Sequence, residues 1–368
     1  MRKIGKEVAF IRTGANNPRN GEGTFVRLRD GSILHAYTEY YGESYEDDAI
    51  AHIAAVRSTD EGESWGKRFT LLKKDENAKN YMSPSLIRLP NGNLGLFFLR
   101  KEKNENGLKF GDECCTCMPA FCYSEDEGKT WSDFVLCIDR DGYFCGINDG
   151  ILLQRSGRII MPLSSEGDGS IVIVASDDSG KSWHTLSKPI TLPYPGFKIG
   201  LQEPGLYEHE NGELWLYCRT ILGYQYQSRS SDNGKTWSVA MPNLYFSSPD
   251  APMRIKKVDK YTLAVFNPIA CTCTKPSTSR RPFVCAVSED DGLSFNDFSE
   301  FTNASKMRSF AEQTFFLEDS MKDTYCYPSI IETADGFLVA YYHSDGGPYA
   351  LCATKITKVY FDEIQSIQ

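Results

Sequence analysis

Ser124-Glu125-Asp126-Glu127-Gly128-Lys129-Thr130-Trp131 is the stretch on which the fold turns, because it recurs four more times. The copies begin at Ser58, Ser176, Ser230 and Ser288; the last ends in Phe295 where the others end in tryptophan. A repeat at this period is settled before anything else, since it marks an array of similar units. Apolar runs precede the octets, for example 53–56 and 171–175. Each octet reads as a tight turn between strands. Asp and Ser side chains bond to nearby amides, Gly supplies a positive φ, and the aromatic three residues on folds back as an apolar plug.

Strand-like segments fall into groups that close on an octet. They run 23–28, 32–37 and 50–57; then 83–89, 94–99 and 120–123; then 150–154, 158–163 and 171–175. A fourth group runs 205–208, 214–219 and 224–228, and a fifth 252–257, 262–267 and 283–287. A sixth, 328–331, 337–342 and 350–356, carries no octet. The first two strands of each group meet at short turns such as Asp30-Gly31, Asn91-Gly92, Asn211-Gly212 and Asp335-Gly336, which are strong hairpin signals. Each octet leaves room for a fourth, outer strand, and hardly any helical period is visible. The fold class is all-β. The expectation is a six-bladed β-propeller of four-stranded antiparallel blades, a single domain over residues 1–368. Residues 8–12 supply the outer strand of the last blade and so remove a free edge.

The chain has 368 residues, and its net charge of −9 argues against a nucleic-acid partner. No run has the length of a membrane span. Met1-Arg2-Lys3 is not followed by an apolar segment, so no signal peptide is read. Twelve cysteines are then read as reduced thiols of a cytoplasmic protein. Cys114, Cys115 and Cys117, or Cys271 and Cys273, lack the spacing of a structural zinc site. No cofactor or metal is implied, and the acidic loop 43–48 has no calcium-loop motif.

In such an array the inner strands begin around a common axis, and polar residues at those starts converge on a pocket. The candidates are Arg19 and Glu22, Gln202 and Glu203, Asp250, and Tyr325 to Tyr327, with Arg219, Arg281 and the acidic pair Asp47 and Asp48 feeding the same face. Arginine forks bind a carboxylate bidentately. A glutamate takes a phenol proton and makes tyrosine nucleophilic; an aspartate protonates a leaving oxygen. Together they suit hydrolysis of an acidic sugar. His52 and His343 are alternative proton carriers.

With these residues the chain resembles the sialidase (neuraminidase) superfamily along nearly its whole length, and its octets look like that family's Asp-boxes. Gln202-Glu203-Pro204 followed by Arg219 is similar to the family's glutamate and second carboxylate-binding arginine. Arg281 looks like the third arginine, with Arg280 as its neighbour and substitute. Tyr327-Pro328-Ser329 resembles the nucleophilic tyrosine, a known exception to the two-carboxylate rule. The resemblance implies an exo-acting, retaining glycosidase that releases a terminal acidic sugar, sialic acid first. Tyr327 would be its nucleophile, Glu203 its base, and Asp48, chosen over Asp47, the acid/base. Arg19, Arg219 and Arg281 would form the carboxylate clamp, with Glu22 and Asp250 also facing the substrate, an oligosaccharide or glycoconjugate. The family's Tyr-Arg-Ile-Pro type motif is missing. Arg19, 11 residues before Asp30, stands instead in Asn-Pro-Arg-Asn-Gly-Glu-Gly. Segments 17–23, 142–150 and 203–227 look closer to a bacterial sialidase-like subgroup of no fixed substrate. Hydrolysis or elimination on another acidic sugar, such as a uronic acid, stays open. So does a propeller that only binds glycans or proteins. Oligomeric state is not readable.

Overall fold

The computed structural model describes residues 1–110, 113–194, 199–269, 280–295, 314–320, 322–344 and 351–365. Cys271, Cys273 and residue 350 lie outside them. After β1 (Lys6–Ile11) comes an eight-stranded sheet: β2 (Asn20–Arg27), β3 (Ile33–Tyr40), β4 (Ala51–Ser58), β5 (Phe69–Leu72), β6 (Ala78–Arg88), β7 (Leu94–Phe110), β8 (Glu113–Ser124) and β9 (Val135–Leu136). A five-stranded sheet follows, made of β10 (Phe144–Cys145), β11 (Leu152–Leu153), β12 (Ile159–Ser165), β13 (Ser170–Ser176) and β14 (His184–Thr185). Two four-stranded meanders are β15 (Gln202–Glu208), β16 (Leu214–Arg219), β17 (Tyr224–Ser230) and β18 (Met241–Ser247), then β19 (Arg254–Val258), β20 (Tyr261–Phe266), β21 (Phe283–Ser288) and β22 (Thr314–Glu318). The last sheet is β23 (Tyr325–Thr333), β24 (Gly336–His343) and β25 (Ala353–Tyr360), completed by β1. The one helix among the described residues is α1 (Phe361–Gln365).

The fold is all-β and propeller-like. Six separate four-stranded sheets are not what the hydrogen bonds give. Four sheets are blade-sized and the fifth has eight strands, because Ala51 of β4 and Asn80 of β6 form a parallel bridge that joins the first two groups. The expected outer strands are present as β5, β9, β14, β18 and β22. β1 pairs antiparallel with β25 at the edge of the last sheet, as residues 8–12 were expected to do. The hairpin of β7 and β8 runs far beyond 94–99 and 120–123, carrying Cys115 and Cys117 into buried strand positions.

Burial explains the sequence pattern. Middle strands such as β13 (Ser-Ile-Val-Ile-Val-Ala-Ser) and β20 (Tyr-Thr-Leu-Ala-Val-Phe) are buried at every residue. Both their faces are covered, so no alternation appears. Outer strand β18 buries only Asn243 and Phe246. The octets fill the seams between groups. Trp131 packs with Leu71, Leu94 and Ala120; Trp183 with Phe121 and Val174; Trp237 with Ile160 and Leu214; Phe295 with Trp215 and Phe246. Trp65 lies against Val8, Ala9 and Leu338, where the last sheet meets the first strands.

Within each octet the serine hydroxyl is the hub. Ser176 Oγ donates to Asp178 Oδ1 at 2.8 Å and accepts from the Gly180 amide at 2.8 Å. Asp178 in turn accepts from the Ser182 amide at 2.9 Å and hydroxyl at 2.6 Å. The other four octets repeat the serine-to-aspartate and glycine-to-serine bonds. Glycine is required because its φ is positive, 88° at Gly180, following a left-handed Ser179.

Ser176 is fully buried. Ser176→Ala leaves the Gly180 amide without its partner and is expected to cost about 1–2 kcal/mol. Urea unfolding checks this; a midpoint identical to wild type would mean that the octet hydrogen bonds do not hold the seam.

Candidate active site

The site begins as a backbone defect. β2 slips register between Gly21 and Thr24, β6 between Met82 and Ser85, β15 between Gln202 and Gly205, and β23 between Cys326 and Ser329. A left-handed residue sits in every gap: Glu22 (φ 54°), Ser83 (50°), Glu203 (41°) and Tyr327 (56°). Such bulges bend a strand and re-aim a side chain, and they concentrate beside active sites. Here they turn side chains from four inner strands toward one another.

Tyr327 donates its phenol proton in a short hydrogen bond to Glu203 Oε1. Glu203 Oε2 accepts from Arg219 Nη1 at 2.7 Å, and Arg219 Nε binds Asp250 Oδ1 at 2.5 Å. Arg280 donates from Nε to the Asp250 carbonyl at 3.1 Å, and its guanidinium lies 5.6 Å from the centre of the Tyr327 ring. Burial, then the Glu203 charge, pushes the Tyr327 phenol well above its ordinary pKa, against the pull of both arginines. The phenol is therefore protonated at rest and poised to lose its proton only to Glu203. Burial favours a neutral Asp250, but Arg219 outweighs it and holds the carboxyl below its usual range.

Arg19 anchors the opposite wall. Its guanidinium binds Tyr342 Oη (2.7 Å), Glu22 Oε1 (2.9 Å) and Asp47 Oδ1 (2.5 Å). Gly21 makes this possible, since a side chain there would collide with the Tyr342 ring. Glu22 also accepts from Ser83 Oγ at 2.5 Å. Burial raises the Glu22 pKa, partly offset by Arg19. Arg19 holds Asp47 down to about 2, with help from Lys101, whose Nζ bonds the Asp47 carbonyl at 2.9 Å. The two walls meet where the Tyr342 and Tyr327 rings stand edge to face, 5.7 Å apart.

Tyr327, Glu203, Arg219, Asp250, Arg19 and Glu22 thus lie in one cluster. Two choices shift by one residue. Arg280, not Arg281, stacks beside Tyr327, and Arg281 has no side-chain hydrogen bond or ion pair among the described residues. Asp47, not Asp48, reaches the cluster; Asp48 pairs with Lys79 at 2.9 Å. Glu22 and Asp250, expected to face the substrate, are engaged by arginines. His52 bonds Tyr41 and Thr70, and His343 its neighbour Ser344. Sequence reading missed Ser83, Tyr342, Lys101 and Glu166. Glu166 has its pKa raised by burial and then by Glu203. For Ser83 a signal existed: like Glu203 and Tyr327, it precedes a proline.

A model of the family described as BNR repeat-like domain matches residues 27–340. Sialidases of Paraclostridium sordellii and Clostridium perfringens are each 24% identical over 58% of this chain, which matches 56% and 59% of their own length. The chain thus spans little more than half the length of these curated relatives. The solved intramolecular trans-sialidase from Ruminococcus gnavus has the same fold, with TM-score 0.69 at 17% identity and 97% of both chains covered.

Asp47 titrates near 2 when folded and near 3.9 when unfolded. Its contribution to stability is present above the unfolded value and lost as pH falls through the folded one. Between pH 4 and 2, wild type is expected to lose more stability than Asp47→Asn. The difference shrinks in high salt, because the carboxylate is largely exposed. Identical acid profiles would mean that Arg19 does not hold Asp47.

Proposed function

The chain belongs to the BNR repeat-like domain family, and from that premise we propose that it is an exo-acting retaining glycoside hydrolase that releases a terminal acidic sugar, sialic acid first. We read the eight-stranded sheet as two blades touching at one bridge, which makes six blades in one unit, five of four strands and one of five, with the octets as Asp-box turns. The observation that carries the function is the Tyr327–Glu203–Arg219 chain of hydrogen bonds. A binding surface has no use for a half-buried phenol aimed at a carboxylate.

In this mechanism the substrate carboxylate lies against Arg280 and Arg219, as a charge-assisted fork. Arg19 contributes as its contact with Asp47 loosens. A neutral nucleophile suits this place, because an anionic one would be repelled by the substrate. The Tyr327 oxygen attacks the anomeric carbon as its proton passes to Glu203, and the glycosidic oxygen leaves with a proton from Asp47. Asp47 is ionised in the open pocket. A bound sugar that draws Arg19 away and excludes water raises its pKa toward that of a proton donor. Once ionised again, Asp47 takes a proton from the water that cleaves the tyrosyl–sugar bond, and Glu203 returns its proton to the departing Tyr327 oxygen.

Release of a fluorophore from an aryl α-sialoside tests this reading. Tyr327→Phe is expected to lose at least about a thousandfold in kcat. Arg280→Ala is expected to raise KM about ten- to a hundredfold, as for a lost hydrogen bond to a charge, with Arg281→Ala near wild type. Wild-type rates in Tyr327→Phe would sink the nucleophile. If Arg281→Ala proved the worse binder, the clamp would return to Arg281. Folded wild type without turnover moves the reading to another acidic sugar, hydrolysed or eliminated, and tight binding without turnover to a glycan-binding propeller. The product's mass separates hydrolysis from transfer within the sugar, which adds no water.

A further inference from the structure

The five-stranded sheet sends a short segment, Asn148-Asp149-Gly150, between β10 and β11, into the centre of the molecule. Asn148 and Asp149 are buried. Asn148 Nδ2 donates to the Gly23 carbonyl at 2.6 Å and the Tyr327 carbonyl at 3.3 Å. The Asp149 amide donates to the Pro84 carbonyl at 3.2 Å, and the Gly150 amide to Ser85 Oγ at 2.7 Å. The Asp149 carboxylate accepts from Thr24 Oγ1 (2.9 Å), Lys256 Nζ (3.1 Å) and the Ile330 amide (3.4 Å), with Arg254 Nε at 3.5 Å.

The three carbonyls share one property. Gly23, Pro84 and Tyr327 all lie inside the register gaps of β2, β6 and β23. There the sheet ladder offers them no partner, and a buried carbonyl left alone is costly. The strained, left-handed residues of those gaps are Glu22, Ser83 and Tyr327. Strained backbone of this kind persists only where its surroundings over-determine it.

We propose that Asn148 and Asp149 form an axial clasp that positions Tyr327 and Glu22, the clasp acting through the bulge carbonyls and never touching the sugar. The proposal rests on the function above for its kinetic arm alone. Asn148 grips the Tyr327 peptide directly, whereas Arg219 and Arg280 are held by Glu203 and Asp250. Loss of the clasp therefore disturbs the nucleophile more than the carboxylate site.

The decisive variant is Asn148→Asp, which keeps the volume and removes both donors. Its crystal structure is expected to show the Tyr327 phenol separated from Glu203. A Tyr327–Glu203 contact unchanged from wild type overturns the proposal, whatever the substrate proves to be. On an aryl α-sialoside, kcat is expected to fall about ten- to a hundredfold, as for a misplaced reacting group, with KM within threefold. A purely structural role would lower thermal stability and leave kcat per folded molecule unchanged, and that result also overturns the clasp. If Asn148→Asp does not fold, Asn148→Ser, too short to reach either carbonyl, takes its place in both measurements.

Discussion

The structure depends on a left-handed residue being held inside a strand. A regular inner strand presents its side chains to the neighbouring sheets and none along its own axis. One inserted residue with positive φ breaks that alternation at the strand's start. Glu22, Ser83, Glu203 and Tyr327 are such residues, and without them the phenol and its carboxylate would face packed seams. The cost, about 1–3 kcal/mol for each strained residue, is borne by the rest of the fold. Apolar seams plugged by the octet aromatics hold the sheets, and hydrogen bonds at the axis take up the carbonyls that the slipped register leaves over.

The electrostatics follow from that geometry. Two arginines of the pocket arrive already matched: Arg19 by Glu22 and Asp47, Arg219 by Glu203 and Asp250. Buried arginines without such partners would be strongly destabilising. Arg280 instead meets the Asp250 carbonyl and the Tyr327 ring. An incoming anion competes with resident carboxylates, so its binding changes the protonation of the groups it displaces. In the proposed mechanism that exchange ties substrate binding to readiness for proton transfer at Asp47.

How much of this was legible in the sequence depends on how local each feature is. The serine, aspartate and glycine hydrogen bonds of an octet all fall inside it, so Ser176, Asp178 and Gly180 announce the turn by themselves. The hairpin pairs Asp30-Gly31 and Asn211-Gly212 do the same. The eight-stranded sheet was not legible, because one contact between Ala51 and Asn80 creates it. The structure brings Glu203, Arg219 and Tyr327 together, with Arg280 in the place expected for Arg281 and Asp47 in that of Asp48. Neither pair belongs to a strand, and Asp47-Asp48 sits in a turn closed by the Ala49 amide on the Glu46 carbonyl, so no strand period tells which member faces in. Long-range partners such as Tyr342 and Asn148 were out of reach, since their roles depend on contacts 179 to 323 residues away.

The two kinds of left-handed residue divide the labour of the fold. In the octets a positive φ falls on Ser179 and Gly180 and on their counterparts, in a turn, and the result is a seam plug. At the axis the same conformation falls on Glu203 and Tyr327, inside a strand, at the residues of the proposed chemistry. A turn can be satisfied by its own serine and aspartate, as Ser176 and Asp178 do. A bulge inside a strand cannot, because its neighbours in sequence are committed to the ladder. Its orphaned groups must be met from another sheet. This is why residues with no part in the proposed reaction, such as Ser83, Thr24 and Asp149, are buried beside those proposed to carry it, and why the pocket forms only once sheets far apart in the chain have closed around the axis.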